Sequence, residues 1–177
     1  MNAMDVEADG LRLRPATTAD WPLIRTWIGR PDIQRWWGNP AAAEAEVRLA
    51  LQTEQALSRI VLLADAPIGY IQAIDASHWG PSLPEGMPAG TWDVDLFIAE
   101  TEHRGRGYGE RALNLIADEV FSTTFALALS VFVAVSNEAA VRAYERAGFR
   151  WARIWEDPIF GPSWMMLRDR PPLSGVR

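Results

Sequence analysis

The sequence predicts a mixed α/β (α+β) fold in a single domain. Three observations carry this. A chain of 177 residues falls in the usual range of one domain. Strand-like and helix-like segments are interleaved, with strand–turn–helix units at 91–121 and 127–147. No internal repeat or low-complexity linker divides the chain into smaller units.

The elements follow in order. Residues 11–15 (LRLRP) alternate as a short strand. Thr17 or Thr18 then caps a helix to about Ile28, with Asp20 in its first turn, and Pro31 ends that region. Alanine, glutamate and leucine content predicts a helix over 41–57. Strands at 60–64 and 68–75 flank a turn at Ala66-Pro67. Residues 77–90 hold three prolines and three glycines and read as a long loop, the kind that is often functional. Residues 91–99 (TWDVDLFIA) form a strand in which Asp93 and Asp95 share one face. A helix at 108–121, a β-branched strand at 127–135 and a helix at 137–147 closed by Gly148 come next, and strands at 150–155 and 163–168 finish the domain. Residues 1–10 and 170–177 read as flexible tails.

Composition excludes several chemistries. There is no cysteine, hence no disulfide, thiolate nucleophile or acyl-cysteine relay. Every basic residue is arginine, so Schiff-base chemistry and a P-loop lysine are absent. His78 and His103 are the only histidines, read as exposed loop residues, and no metal site is expected. The net charge of −6 disfavours nucleic acid and anionic membrane as partners. The start of the chain, with Asp5, Glu7 and Asp9, lacks the basic and apolar pattern of a secretory signal, and the expected location is the cytoplasm.

The strongest local signal is Arg104-Gly105-Arg106-Gly107-Tyr108-Gly109, which follows a strand and opens a helix. Glycines there permit a tight turn, and free N–H groups at a helix start favour a phosphate. Taken alone, the segment also fits a glycine-rich turn with solvated arginines. Further on stand Asn137 and then Tyr144-Glu145-Arg146-Ala147-Gly148-Phe149. Together these segments resemble the GNAT superfamily of acyl-CoA-dependent N-acyltransferases. Arg104, Gly107 and Gly109 match its pyrophosphate loop, and Asn137, Tyr144, Glu145, Gly148 and Phe149 match its second signature. The resemblance spans residues 11–169.

It implies a mostly antiparallel, twisted, mixed sheet, splayed between its fourth and fifth strands and flanked by helices. It implies acetyl-CoA as co-substrate in that splay. Backbone groups of Phe97, Ile98 and Ala99 would pair with pantetheine and polarise the thioester. Arg104, Gly105, Arg106, Gly107, Tyr108 and Gly109 would hold the pyrophosphate, and Asn137 the CoA arm. Tyr144 would also contact the cofactor and protonate the departing thiolate.

A narrower resemblance is to the aminoglycoside 6′-N-acetyltransferases. It is carried by Arg35-Trp36-Trp37-Gly38, Ile68-Gly69-Tyr70, Gly90 to Asp95, Gly161-Pro162 and Met165-Met166. It implies that Asp95 binds the acceptor ammonium and takes its proton in a direct transfer within a ternary complex. Phe132 departs from this pattern by standing where an acidic substrate contact is usual, and Glu156 or Asp157 would have to supply that charge. The residues themselves add that no lysine or arginine lies between Arg59 and Arg104, while Asp65, Asp75, Glu85, Asp93, Asp95, Glu100 and Glu102 do. Such an acidic stretch would draw a cation. Of nine tryptophans, Trp21, Trp27, Trp151 and Trp155 read as core, and Trp36, Trp37, Trp79 and Trp92 as a cleft lining beside Asp93. The expected enzyme is an N-acetyltransferase of a cationic small-molecule amine, a monomer or homodimer. Siderophore-precursor acylation, protein N-terminal or ribosomal acetylation and non-catalytic CoA sensing stay open as alternatives.

Overall fold

The computed structural model describes residues 10–158 and 160–172. Its strands are β1 (Leu11–Pro15), β2 (Ala56–Leu63), β3 (Ala66–Asp75), β4 (Thr91–Ile98), β5 (Ala128–Ala134), β6 (Arg150–Asp157) and β7 (Gly161–Asp169). They form one sheet in the order β1-β2-β3-β4-β5-β7-β6. Every neighbouring pair is antiparallel except β4 and β5. That parallel pair is laddered only where Thr91 to Asp93 face Ala128 to Ser130. Beyond Asp93 the two strands diverge, which opens the sheet as expected.

The helices are α1 (Trp21–Ile28), α2 (Pro31–Trp37), α3 (Pro40–Ala50), α4 (Tyr108–Thr123) and α5 (Glu138–Arg146). Strand alternation sends Ile60, Tyr70 and Phe97 to one face, where they pack with Ile24, Trp27 and Val47 of α1 and α3. Val61, Ile71 and Val94 go to the other, against Leu113 and Ile116 of α4 and Val141 of α5. Among the described residues no helix is long and apolar enough to cross a membrane.

Local chemistry explains most boundaries. Thr17 caps a 3-10 turn, accepting from Ala19 N–H while Asp20 accepts from Thr17 N–H in a capping box. The first helix is therefore this turn followed by α1. Pro31 starts α2 rather than ending a region, because proline at the first helical position gives up only an N–H that has no helical partner. The α3 helix stops at Ala50 and not at 57, since residues 56–63 are taken up by pairing with β3. The β2–β3 turn falls at Ala64-Asp65, both at positive φ (46° and 70°), and not at Ala66-Pro67. Two positive-φ residues match the right-handed twist of the flanking strands. Gly148, at φ +84°, closes α5 while Phe149 N–H reaches back to Tyr144 O at 3.0 Å.

The tail assignments fall largely outside the described residues. Arg170 of the second tail is among the described residues. Its guanidinium donates to the carbonyls of Phe121, Thr124 and Ala126, pinning the chain after β7 to the α4–β5 connection.

Candidate active site

Two cavities meet at the splay. One, of about 440 Å³, is bounded by Glu46 of α3, Asp93 and Asp95 of β4, Trp79, Phe132, Trp155 and Asp157. The other, of about 310 Å³, lies over the start of α4 and is bounded by Ile98, His103, Arg104, Gly105, Gly107 and Gly109. Trp36, Trp37, Leu96, Asn137, Ala140 and Tyr144 border both. A group on that shared wall can touch a molecule on either side.

The first cavity is an acidic cleft. Asp93 and Asp95 share a strand face, as the alternation predicts, and both line it. Asp93 is buried and accepts from Ser130 Oγ at 2.6 Å. Burial, reinforced by the Asp95 charge, holds its pKa well above the usual carboxylate range. Burial also raises Asp95, against hydrogen bonds from Glu46 and Gln72 that favour its ionised form. Glu46, which the sequence reading missed, lines the cleft with Asp95, and Gln72 bridges the two. The surrounding walls and then the Asp95 charge push its pKa up to about 8. Gln72, fully buried on β3, donates to Glu46 Oε1 at 2.8 Å and to Asp95 Oδ2 at 3.4 Å. No arginine or histidine is among the described residues lining this cleft.

Glu46 had a legible signal. Ala43, Val47 and Ala50 are the buried face of α3, and Glu46 is three residues from Ala43 and adjacent to Val47. A carboxylate beside the apolar stripe of an otherwise ordinary helix is the kind of residue worth singling out.

The second cavity is built for an anion carried on a long arm. Gly105 and Gly107 sit at φ +69° and +81°, with nothing within 4 Å of where a Cβ would be. Gly107 caps α4 without a side chain, so the first N–H groups of this 16-residue helix face outward beside the cavity. Ala99 N–H bonds to Ile68 O at 2.7 Å, and ladder alternation then turns the backbone groups of Leu96 and Ile98 to the open edge of β4. The carbonyls on that edge accept from Trp37 Nε1 and Arg104 Nε. The Ile98 N–H lies on the same edge, facing the splay. A glycine cradle, a helix start and an open strand edge fit acetyl-CoA's pyrophosphate and pantetheine.

Several predicted site residues fall elsewhere. Trp92 is not a cleft residue. The alternation that aims Asp93 and Asp95 at the cleft turns Trp92 into the core against α4. Ala99 has no free backbone group, since its carbonyl accepts from Arg104 Nη2 and its N–H is taken by Ile68. Phe97 contributes its ring, edge-on to Trp27 and Trp37. Arg104 borders the cavity, but its guanidinium is turned to Asp32 of α2 at 2.7 Å and to the Ile98 and Ala99 carbonyls. Arg106 and Tyr108 do not border it. Tyr108 instead packs edge-on to His103, which is half-buried rather than exposed and lines the cavity. Asn137 caps α5 by accepting from Ala140 N–H and borders both cavities.

The tryptophans also redistribute. Trp36, Trp37 and Trp79 line the cleft as predicted, and Trp27 is core. Trp151 and Trp155 are exposed on the edge strand β6 rather than buried. Trp155 and Trp79 flank Phe132 at 6.1 Å each, making an aromatic wall. The acidic stretch does not act as a unit. Only Asp93 and Asp95 line the cleft. Asp65 pairs with Arg12, Glu85 with Arg153 and Glu100 with Arg30, and Asp75 caps a 3-10 turn. Asp157, not Glu156, joins Glu46 in lining it.

Residues 16–156 match the acetyltransferase (GNAT) domain, and the chain belongs to that family of transferases. It is 27% identical over 177 residues to aminoglycoside N(6′)-acetyltransferase type 1 of Klebsiella pneumoniae, covering 96% of this chain and 88% of the relative. Among solved structures, AAC(6′)-Ib in complex with paromomycin and acetyl-CoA superposes with a TM-score of 0.78 at 27% identity, covering 92% of this chain and 94% of that one. AAC(6′)-Ib with coenzyme A and kanamycin gives 0.77 at 26%, covering 90% and 95%.

Proposed function

We propose that this acetyltransferase moves an acetyl group from acetyl-CoA to a primary amine of a polycationic small molecule, the 6′-amine of an aminoglycoside, in the cytoplasm, and so confers resistance. One observation carries the reading. The acidic cleft, lined by four carboxylic residues and no basic one among the described residues, shares its wall with the glycine cradle, and Tyr144 stands on that wall. A cation on one side and a thioester on the other would meet there. The similarity to the aminoglycoside enzymes supports the same acceptor class.

Acetyl-CoA supplies the acetyl group already activated as a thioester. The chain's own residues do the rest. Amides of Gly105, Gly107 and Gly109 hold the pyrophosphate, and Asn137 steadies the CoA arm. Asp95 takes a proton from the acceptor ammonium, which frees a lone pair on nitrogen. The Ile98 N–H donates to the thioester oxygen as it gains charge. Tyr144 gives its proton to the departing sulfur, and the second proton that the nitrogen sheds on becoming an amide restores the phenol. Burial and then the charges of Asp95 and Asp93 raise the Tyr144 pKa, so the phenol is protonated at neutral pH and has that proton to give. With no cysteine, transfer runs directly between the two bound substrates. Trp36, Trp37 and Trp79 offer indole faces to the acceptor's rings and cations.

The test is thiol release from acetyl-CoA across kanamycin, spermine, a hydroxylated diamine and a peptide amine. Kanamycin turning over with the lowest KM supports the reading. Turnover confined to the hydroxylated diamine or the peptide replaces it, and slow hydrolysis alone with every amine rejects it.

A further inference from the structure

We propose that Glu46 is a positioning residue for the acceptor: it shares one proton with Asp95 in the free enzyme and releases that proton when an ammonium enters the cleft. This rests on the reading of the cleft as an amine site.

The geometry is specific. Glu46 and Asp95 reach the cleft from different walls, one from α3 and one from β4, and both accept from the same nitrogen, Gln72 Nε2, at 2.8 and 3.4 Å. Two carboxylates so placed cannot both stay ionised cheaply, and a single proton turns their repulsion into a hydrogen bond. Gln72 holds the pair. Its Nε2 donates to both, and its Oε1 accepts from Tyr70 OH at 2.9 Å, which fixes the amide's orientation. Tyr70 and Gln72 are fully buried, so this clamp does not move with solvent.

The groups facing Glu46 are Asp95 and Asp93 from β4 and Gln72 and Tyr70 from β3. Tyr144 of α5 faces the two aspartates. None of these carries positive charge and no basic residue is among the described residues lining the cleft, so a proton or an incoming cation would neutralise the pair. Burial raises both carboxyls, and the hydrogen bonds that favour ionised Asp95 put the shared proton on the Glu46 side. Asp95 is therefore kept as the base. Glu46 is exposed to the cleft, so its proton has a way out. The protons balance: one leaves Glu46 for solvent as the ammonium binds, and a second passes from the ammonium nitrogen to Asp95.

Two measurements decide it. In the free protein, carbon-13 NMR of labelled glutamate carboxyls is expected to show Glu46 titrating near pH 8. Asp95→Asn should lower that midpoint by about one unit or more. A Glu46 midpoint in the ordinary glutamate range, or one that Asp95→Asn leaves in place, overturns the proposal. This arm needs no acceptor, so it stands even if kanamycin is not a substrate. With kanamycin as acceptor, the wild-type KM is expected to fall roughly tenfold more than that of Glu46→Gln between about pH 6.5 and 8.5. Parallel KM profiles in the two enzymes overturn the proposal, whatever the effect of the substitution on stability.

Discussion

The two cavities at the splay share a wall and handle charge in opposite ways. On the glycine-rich side the acids are already compensated: Asp32 lies against Arg30 and Arg104, and Glu110 against Arg146. Anion binding is left there to backbone N–H groups and the start of α4. In the cleft, Glu46, Asp93 and Asp95 face each other across Gln72 with no cation among them, and their pKa values are raised rather than lowered. Asp32 shows the contrast, since hydrogen bonds from Arg30 and Arg104 lower its pKa. The acids of one side are neutralised by arginines, whereas those of the other hold protons that a cation could replace. That difference is why we propose the acceptor for the cleft and acetyl-CoA for the glycine-rich side.

The largest expected effects are on the shared wall and its base. Tyr144→Phe should lower kcat by about a hundredfold with both KM values little changed. Asp95→Asn should lower kcat by a similar factor and also raise the acceptor KM, which separates the cleft from the wall. Steady-state kinetics with each substrate varied in turn reads both.

Next comes the cradle. Gly107→Ala forces a Cβ at φ +81°, a strain of about 1–2 kcal/mol. The acetyl-CoA KM should rise roughly tenfold while the acceptor KM holds. An equal rise in both would break the division of labour between the cavities.

Ionic strength should separate them more gently. Raising salt screens the cleft's field, so the acceptor KM should rise severalfold, and the acetyl-CoA KM should move less because its contacts are short-range backbone donors.

The smallest effect is on stability. The folded-state pKa of Glu46 lies above its unfolded value, so the folded chain binds the extra proton between about pH 4.5 and 8. Stability should fall as pH rises through that window and level off above it. Glu46→Gln should flatten this part of the Tm-against-pH curve, as thermal unfolding in a buffer series would show.

Much of this was legible in the sequence, for reasons that differ by element. Asp93 and Asp95 could be placed because strand alternation is rigid, and the same rule, applied one residue earlier, removes Trp92 from the cleft. Gly107 was legible because few residues tolerate its backbone conformation at the head of a helix. Tyr144 was legible only through the motif around it, since a buried tyrosine on an amphipathic helix has no signature of its own. The helix α2 was hidden because Pro31 reads as a stop in isolation and as a start once the N–H groups are counted. Arg104 looked like a phosphate ligand because charge and position can be read locally, whereas its partner Asp32 is 72 residues away. Glu46 could be singled out by its place beside the apolar stripe of α3, but its meeting with Gln72, like that of Trp155 with Phe132, is a tertiary contact. No period or spacing in the sequence encodes such contacts.

The most direct test of the central claim is the rate of thiol release from acetyl-CoA with kanamycin, measured for the wild type and for Asp95→Asn at equal acetyl-CoA saturation. The account predicts saturable turnover by the wild type and a loss of about a hundredfold in the variant, together with a raised kanamycin KM. Turnover by Asp95→Asn at the wild-type rate and KM would contradict it.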